Sequence, residues 1–244
     1  MNLLNQSVTC EAMTYEPLAL IKRMGQKCWQ SDSNKSPEDF CSMLIKVGHE
    51  SVLEHASMSV SIQTDRGITH EIVRHRIGCS YSQESTRYVK TEDIQVIDQR
   101  IEKGFGEWEN TLLSIEHTYN SLLEAGHKKQ IARSILPNCL KADIGMTANF
   151  RAWRHFLKLR LSPKAHPMIR QIAQGIHDLL PPVIVSDICK GCGNKPYQWD
   201  PCDWDWNDKC VGAQILGEGG QEVWILDSGV PPPDYCFPLC VCKS

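Results

Sequence analysis

An abrupt change in composition near residue 185 is the feature that most limits how this chain can fold. The last 59 residues hold seven of the twelve cysteines and four of the seven tryptophans, but no arginine and no histidine. Their net charge is −5, whereas residues 1–185 carry a net charge of +2. The sequence therefore predicts two parts: a domain of the size of a small enzyme over 1–185 and an acidic appendage rich in Cys, Trp and Pro over 186–244.

The composition of the whole chain excludes several classes of protein. With 244 residues, 41% hydrophobic and 23% charged, the chain has the composition of a soluble globular protein. A net charge of −3 does not suit a polycation that binds nucleic acid. We see no signal peptide and no apolar stretch long enough to span a bilayer. We therefore expect a cytoplasmic protein without nucleic-acid or membrane partners.

The apolar residues of the first part alternate between the periods of helices and strands. Strand-like alternation occurs over 55–64 and 140–148. Helical spacing predicts helices that start near residues 17 and 36, and others over 67–76, 105–122, 149–161 and 166–180. This mixture predicts an α/β (or α+β) fold with a modest sheet flanked by long helices.

Residues 74–88 concentrate the polar chemistry of the chain. Three arginines, one histidine and several hydroxyl groups fall within fifteen residues, a donor set suited to phosphates and a polar heterocycle. On composition alone, a solvated helix end followed by a polar loop is the favoured interpretation. A covalent role for Ser85 is not expected, because the glycine-flanked elbow of hydrolases is absent.

The order and spacing of this segment make it specific. Arg74-His75-Arg76, eight residues, then Ser85-Thr86-Arg87-Tyr88 resembles the signature of the flavin-dependent thymidylate synthases, in which the gap is commonly seven residues. Three more segments resemble motifs of that family, in the same order along the chain: Gly48–His55 (GHESVLEH), Ala132–Pro137 (ARSILP), and Asn149–Arg160. The resemblance covers about residues 2–185.

Members of this family convert dUMP to dTMP, so the resemblance implies that reaction, with FAD as cofactor and with NADPH and 5,10-methylenetetrahydrofolate as co-substrates. Methylation at uracil C5 requires electron density on that carbon, and a fixed guanidinium near O4 and N3 would stabilise the resulting anion. By resemblance that guanidinium belongs to Arg160, our candidate catalytic residue. Asn149 and Arg160 are about three helical turns apart, so one helix face can hold both.

The resemblance also assigns binding residues. Those expected to bind FAD are Ser51, Arg74, His75, Arg76, Gln83, Asn149, Arg151 and His155. Those expected to bind the nucleotide are Glu71, Arg74, Gln83, Glu84, Ser85, Thr86, Arg87, Arg133 and Arg160. Taken without the resemblance, Arg133 is equally suited to a helix C-terminus, and the cations at 151, 154, 155 and 158 to a solvated helical face.

The resemblance implies a homotetramer with FAD sites between subunits, and no metal in the active site. Two other functions stay open. The chain could methylate or hydroxymethylate C5 of another pyrimidine nucleotide with the same cofactor. Alternatively, it could be a non-catalytic homologue that binds a nucleotide or a metal.

The appendage has three interpretations. Cys189-x-x-Cys192 followed by Cys240-x-Cys242 could supply four thiolates to zinc, although a zinc ribbon usually shows two Cys-x-x-Cys pairs. Disulfides are the second interpretation, disfavoured in a reducing cytosol. A partly disordered acidic tail is the third.

Overall fold

The structure is a computed structural model that describes residues 1–29, 33–86 and 94–190, together with the backbone of 212–216 and 222–226. The chain divides into two compact units. The first consists of Met1–Met13 and Met58–Ala148, and the second of Thr14–Ser57 and Asn149–Ser244. Each unit is therefore assembled from two separate stretches of chain, and each is described by itself.

The described residues form eight strands and eight α-helices. The strands are β1 (Asn2–Leu4), β2 (Ser7–Met13), β3 (Ser57–Asp65), β4 (Cys79–Gln83), β5 (Gln95–Ile97), β6 (Lys141–Asn149), β7 (Gly212–Leu216) and β8 (Glu222–Leu226). The helices are α1 (Pro17–Trp29), α2 (Pro37–Lys46), α3 (Arg66–Ile72), α4 (Phe105–Glu124), α5 (Lys129–Ala132), α6 (Phe150–Arg160), α7 (Pro167–Leu179) and α8 (Pro182–Val185). Two short 3-10 helices cover Glu50–His55 and Arg133–Ile135.

A four-stranded sheet in the order β2-β3-β6-β4 forms the centre of the first unit. Strand β2 pairs antiparallel with β3, and β4 pairs antiparallel with β6. Alternate residues of β3 and β6 are buried, as period-2 alternation predicts. The other face carries small polar residues, and Ser59 and Thr147 form a hydrogen bond of 2.8 Å between their hydroxyl groups there.

A smaller core lies beside the parallel pair β1-β5, in the same unit. Ile94, Val96, Leu112 and Leu140 form this buried cluster, with Trp108 and Ile115 of α4 packed against it. Helix α4 contributes residues at helical spacing, which confirms the long amphipathic helix that the sequence predicts from residue 105.

Helices dominate the second unit. Helix α6 packs against the first 3-10 helix and against α7, and α1 packs against α2. Ser36 begins α2 as its N-cap, with its hydroxyl oxygen accepting a 3.0 Å hydrogen bond from the Asp39 N–H, as the Ser-Pro-Glu-Asp sequence predicts. Trp153 and Phe156 of α6 are fully buried, with their rings edge to face at 5.8 Å.

The predicted fold class is confirmed, and the predicted strands and long helices are present. One helix boundary was wrong: the sequence predicts a helix over 67–76, whereas α3 ends at Ile72. After Ile72 the chain forms a turn, and the hydroxyl group of Tyr81 in the next strand lies within hydrogen-bonding distance of the Ile72 and His75 carbonyl oxygens. Strand β4, which that tyrosine belongs to, lies where the sequence predicts a polar loop.

The appendage is described only in part. Strands β7 and β8 pair antiparallel, with Gln214 opposite Trp224. The cysteines of the appendage that suggest zinc or disulfides, apart from Cys189, lie outside the described residues, so these interpretations stay predictions. Within the described part of the chain, no helix is both long and apolar enough to cross a membrane.

Asp65 joins the end of β3 to the start of α3, and its removal tests this junction. One carboxylate oxygen accepts a 2.7 Å hydrogen bond from the Ile68 N–H, and the other accepts one of 3.0 Å from Gln99. We expect Asp65→Ala to lower the free energy of unfolding by about 1–2 kcal/mol, because a buried N-cap is lost. Denaturant unfolding measures the change. Asp65→Asn is the control, since Asn also caps helices, and an equal loss in both variants would contradict the capping role.

Candidate active site

In the first unit, the Arg-His-Arg segment follows α3 as a tight turn. Arg74 and Arg76 are exposed, whereas His75 between them is only 8% exposed. Gly78 then adopts a φ of 73°, a backbone conformation that favours glycine, and the chain enters β4. The turn therefore presents two guanidinium groups to solvent and keeps the imidazole inside.

Tyr81 of β4 holds this turn in place. Its hydroxyl group lies within hydrogen-bonding distance of two carbonyl oxygens, that of Ile72 at 3.1 Å and that of His75. Burial raises the pKa of Tyr81, so its hydroxyl group stays protonated and can donate. The positions of Arg74 and Arg76 thus depend on a strand residue that the sequence assigned to a loop.

The end of β4 is fixed by contacts to its neighbours. The Gln83 amide donates a 3.0 Å hydrogen bond to the Thr69 hydroxyl, and the Glu84 N–H donates one of 2.9 Å to the Asp143 carbonyl. Lys141 forms ion pairs with the carboxylates of Glu84, at 3.3 Å, and Asp143. These contacts fix the end of β4, from which the loop beginning at Ser85 continues.

Arg133 contacts the loop that follows Glu84. From the 3-10 helix at 133–135, its guanidinium donates a 3.2 Å hydrogen bond to the Thr86 hydroxyl. Gln83 and Glu84 also line a groove of about 490 Å³ on the polar face of the sheet. Glu71 lies half-buried at the end of α3, and Arg87 lies outside the described residues.

In the second unit, Ser51 is exposed on the 3-10 helix, whose Val52 and Leu53 are buried. This helix follows Gly48, which adopts a φ of 77°. Burial of the two apolar residues fixes the helix and leaves Ser51 at the surface.

Helix α6 carries the other predicted residues of this unit. Asn149 is its N-cap, and its side-chain oxygen accepts a 2.8 Å hydrogen bond from the Ala152 N–H, which leaves the amide NH₂ as the donor for a ligand. Arg151 and His155 are exposed and about 40° apart around the helix axis. The Arg151 guanidinium donates a 2.6 Å hydrogen bond to Glu54.

Arg160 is the last residue of α6 and is half-buried. With about 100° of rotation per residue, it lies about 140° from His155 around the helix axis but close to the direction of Asn149. The helix C-terminus favours a cation, because the last carbonyl groups carry partial negative charge. Arg160 therefore lies on a different side of α6 from the exposed Arg151 and His155.

Arg154 is fully buried, whereas the charges at 151, 154, 155 and 158 also suit a solvated helical face. Its guanidinium forms hydrogen bonds with Asp187 at 2.6 and 2.8 Å and with Glu50 at 2.9 Å. The spacing contained the signal: Arg154 follows Phe150 by four residues and precedes Leu157 by three, so it shares the apolar side of the helix.

The Arg154 guanidinium alters the pKa of both carboxyl groups. Burial alone would raise the pKa of Glu50 and of Asp187, but the hydrogen bonds and charge of Arg154 outweigh it and lower both values. Both carboxylates are therefore ionised at neutral pH, and the buried cation is compensated.

Three of the described cysteines, Cys41, Cys79 and Cys139, do not suit a nucleophile. Burial raises the pKa of Cys41 to about 12 and that of Cys139 to about 11, and it also raises the pKa of Cys79, inside the signature. These thiols stay protonated at neutral pH, and the thiolate is the reactive form. Among the described residues, no group of three His, Cys, Asp or Glu side chains could hold a metal ion.

Comparison with known proteins decides the family. Residues 10–184 match the family model described as thymidylate synthase complementing protein. Flavin-dependent thymidylate synthases from Mycobacterium bovis (strain BCG / Pasteur 1173P2) and Mycolicibacterium vanbaalenii are 35% and 36% identical to this chain over 180 residues. Each match covers 64% of this chain and 72% of the relative. The chain belongs to the flavin-dependent thymidylate synthase family.

Solved structures have the same fold. Thymidylate synthase X from Helicobacter pylori, determined with FAD and dUMP, has a TM-score of 0.63 at 23% identity and covers 73% of this chain and 94% of its own. The UMP/dUMP methylase PolB from Streptomyces cacaoi, bound with 5-Br dUMP, has a TM-score of 0.62 at 23% identity and covers 75% and 95%. The family fold thus extends over the described domain.

Tyr81→Phe tests how the Arg-His-Arg turn is held. The variant keeps the ring and loses the hydroxyl group, so we expect the free energy of unfolding to fall by about 1 kcal/mol. Amide hydrogen exchange at residues 73–76 should also become faster. Tyr15→Phe is the control, because Tyr15 is 85% exposed. Unchanged exchange in Tyr81→Phe would show that the hydroxyl group does not hold the turn.

The lowered pKa values of Glu50 and Asp187 predict a dependence of stability on pH. Their stabilising effect is complete above the ordinary values of 4.5 and 3.8 and is lost as the pH falls through the lower folded values. We expect acid unfolding to be less steep in a Glu50→Gln/Asp187→Asn double variant, measured by circular dichroism. Equal steepness in both proteins would contradict this linkage.

Proposed function

We propose that this chain catalyses the reductive methylation of dUMP to dTMP, with FAD as cofactor and with NADPH and 5,10-methylenetetrahydrofolate as co-substrates. The observation that carries the proposal is the family match over residues 10–184, which includes all four sequence motifs. The relatives at 35–36% identity are flavin-dependent thymidylate synthases. The raised thiol pKa values agree with a reaction that uses no cysteine nucleophile.

The donor sets of both units fit FAD. In the first unit, the exposed Arg74 and Arg76 guanidinium groups suit phosphates. In the second unit, Ser51 and His155 are exposed, and the Asn149 amide keeps its donor side. Bound FAD supplies the hydride chemistry, and these residues would bind and orient it together with His75, Gln83 and Arg151.

Arg160 is the residue we assign to catalysis. A guanidinium stays charged at every physiological pH, and its planar donors can face O4 and N3 of a pyrimidine at the same time. It would stabilise negative charge on the ring as electron density moves to C5. Its partial burial strengthens this effect, because charge interactions weaken in bulk water.

The loop after β4 is the segment we assign to the nucleotide. Glu84, Ser85 and Thr86 follow a strand end held by Lys141, and Arg133 reaches the Thr86 hydroxyl. Hydroxyl groups, N–H groups and guanidinium groups in this loop suit a phosphate monoester. Arg74, Gln83, Arg87, Arg160 and the carboxylate of Glu71 complete the proposed substrate set.

We also propose that the protein works as a homotetramer, with FAD bound between subunits. The support for this assembly is the resemblance to the flavin-dependent thymidylate synthase family over residues 10–184. Size-exclusion chromatography with light scattering tests the assembly, and a monomer that binds FAD tightly would contradict it.

NADPH oxidation by the purified protein tests the reaction. We expect oxidation that depends on methylenetetrahydrofolate and dUMP, with dTMP as product, in a protein that carries FAD. UMP is assayed in parallel, since a structural neighbour is a UMP/dUMP methylase. Preference for UMP would instead support the related methylase. FAD binding without turnover on either nucleotide would support a non-catalytic homologue.

Arg160→Ala tests the catalytic assignment. We expect kcat to fall at least about 10²–10³-fold, the usual effect of losing one donor to a developing anion, while FAD stays bound. Lys164→Ala is the control, because Lys164 is an exposed cation beyond the same helix. Turnover is measured by formation of dTMP. Near-normal turnover of Arg160→Ala would refute the assignment.

A further inference from the structure

Two carboxylates of the first 3-10 helix pair with cations of α6. The same Glu50 oxygen lies 2.9 Å from the Arg154 guanidinium and 3.5 Å from the Lys158 ammonium, one helical turn further along. Glu54 pairs with Arg151 at 2.6 Å. The two acids of the motif Gly-His-Glu-Ser-x-x-Glu-His therefore both face α6.

These contacts differ in burial and so in strength. The Arg151 and Glu54 side chains are 52% and 46% exposed, and an exposed pair of this kind contributes little. The Arg154 side chain is fully buried, and its partner Glu50 is 22% exposed. Loss of one partner from such a pair leaves a buried charge without compensation, which disturbs the surroundings strongly.

The same guanidinium also contacts α8 and the residues just beyond it. Both Asp187 oxygens accept hydrogen bonds from it, one of them from the nitrogen that also donates to Glu50, and the Ile184 carbonyl of α8 accepts another. Ile188 is buried, and its carbonyl lies 3.2 Å from the His177 ring nitrogen of α7. One side chain therefore connects α6, the 3-10 helix and the segment that follows residue 185.

We propose that Arg154 is a positioning residue for the flavin site and acts through Glu50. Ser51 adjoins Glu50 and is exposed, and His155 adjoins Arg154 and is exposed. A fixed contact between Glu50 and Arg154 thus fixes the backbone that carries Ser51 relative to the helix that carries His155 and Asn149. The proposal rests on the proposed function, because these neighbours are its FAD ligands.

Two variants that each remove one carboxylate from this guanidinium test the proposal. In Glu50→Gln the contact to the 3-10 helix is weakened, and we expect the Kd for FAD to rise about tenfold, the lower end of the loss seen when a residue that orients metal ligands is removed. In Asp187→Asn the contact to the segment after α8 is weakened, and we expect a lower Tm with the Kd for FAD within about twofold. Flavin fluorescence titration of the apoprotein measures the Kd.

Further variants separate positioning from a general loss of stability. Arg154→Lys keeps the charge but loses the forked geometry, and we expect it to weaken FAD binding as Glu50→Gln does. Ile94→Val, at a buried position in the small core of the first unit, lowers the Tm away from the 3-10 helix and α6 and should leave the Kd unchanged. Faster hydrogen exchange at residues 50–55 in Glu50→Gln, measured without FAD, is the accompanying local effect.

Each outcome decides between the two proposals. If the unmodified protein binds FAD and Glu50→Gln binds it equally tightly, the positioning role is wrong and the proposed function stands. If Asp187→Asn weakens FAD binding as much as Glu50→Gln does, the network stabilises the unit without positioning the site. If the unmodified protein binds no FAD, both proposals fail.

Discussion

The second unit depends on one buried guanidinium. Arg154 is fully buried, and a charge in that place is tolerated only because Glu50 and Asp187 supply opposite charges and well-formed hydrogen bonds. The pairing imposes a geometry, since the planar donors accept carboxylates only in certain directions. Together with the burial of Val52 and Leu53, this pairing constrains the position of the 3-10 helix, and it also constrains Asp187 and the rotation of α6 about its axis.

In the first unit, an uncharged hydroxyl group, that of Tyr81, holds a turn in place. The Tyr81 hydroxyl group lies within hydrogen-bonding distance of two carbonyl oxygens of the Arg-His-Arg turn, and strand pairing places Tyr81 opposite Met146. The exposed arginines of the turn are thereby attached to the sheet. In both units, exposed residues proposed to bind ligands, such as Arg74 and His155, adjoin buried ones, His75 and Arg154, an arrangement that holds the exposed donors ready for a ligand.

Residue periodicity predicted β3, β6 and the long helices, because their buried residues recur at the spacing of one face. Periodicity did not predict β4, because its five residues are polar or small and show no alternation of apolar and polar residues. Its strand conformation depends on pairing with β6. The alternative interpretation of Arg151, Arg154, His155 and Lys158 as a solvated face is wrong for Arg154, because it considered charge and not position on the helix. The roles of the proposed site residues, including Arg160, rest on motif order.

The sequence by itself determined the family, the order of its motifs and the compositional change near residue 185, because these depend on residue identity and spacing along the chain. Only the tertiary structure decided that α3 ends at Ile72 and that Arg154 is buried between Glu50 and Asp187. These features depend on partners far away in sequence, 104 residues in the case of Glu50, and no local pattern records such a contact. The structure also continues past residue 185, since Asp187 and Ile188 are bound within the second unit by contacts of the same kind.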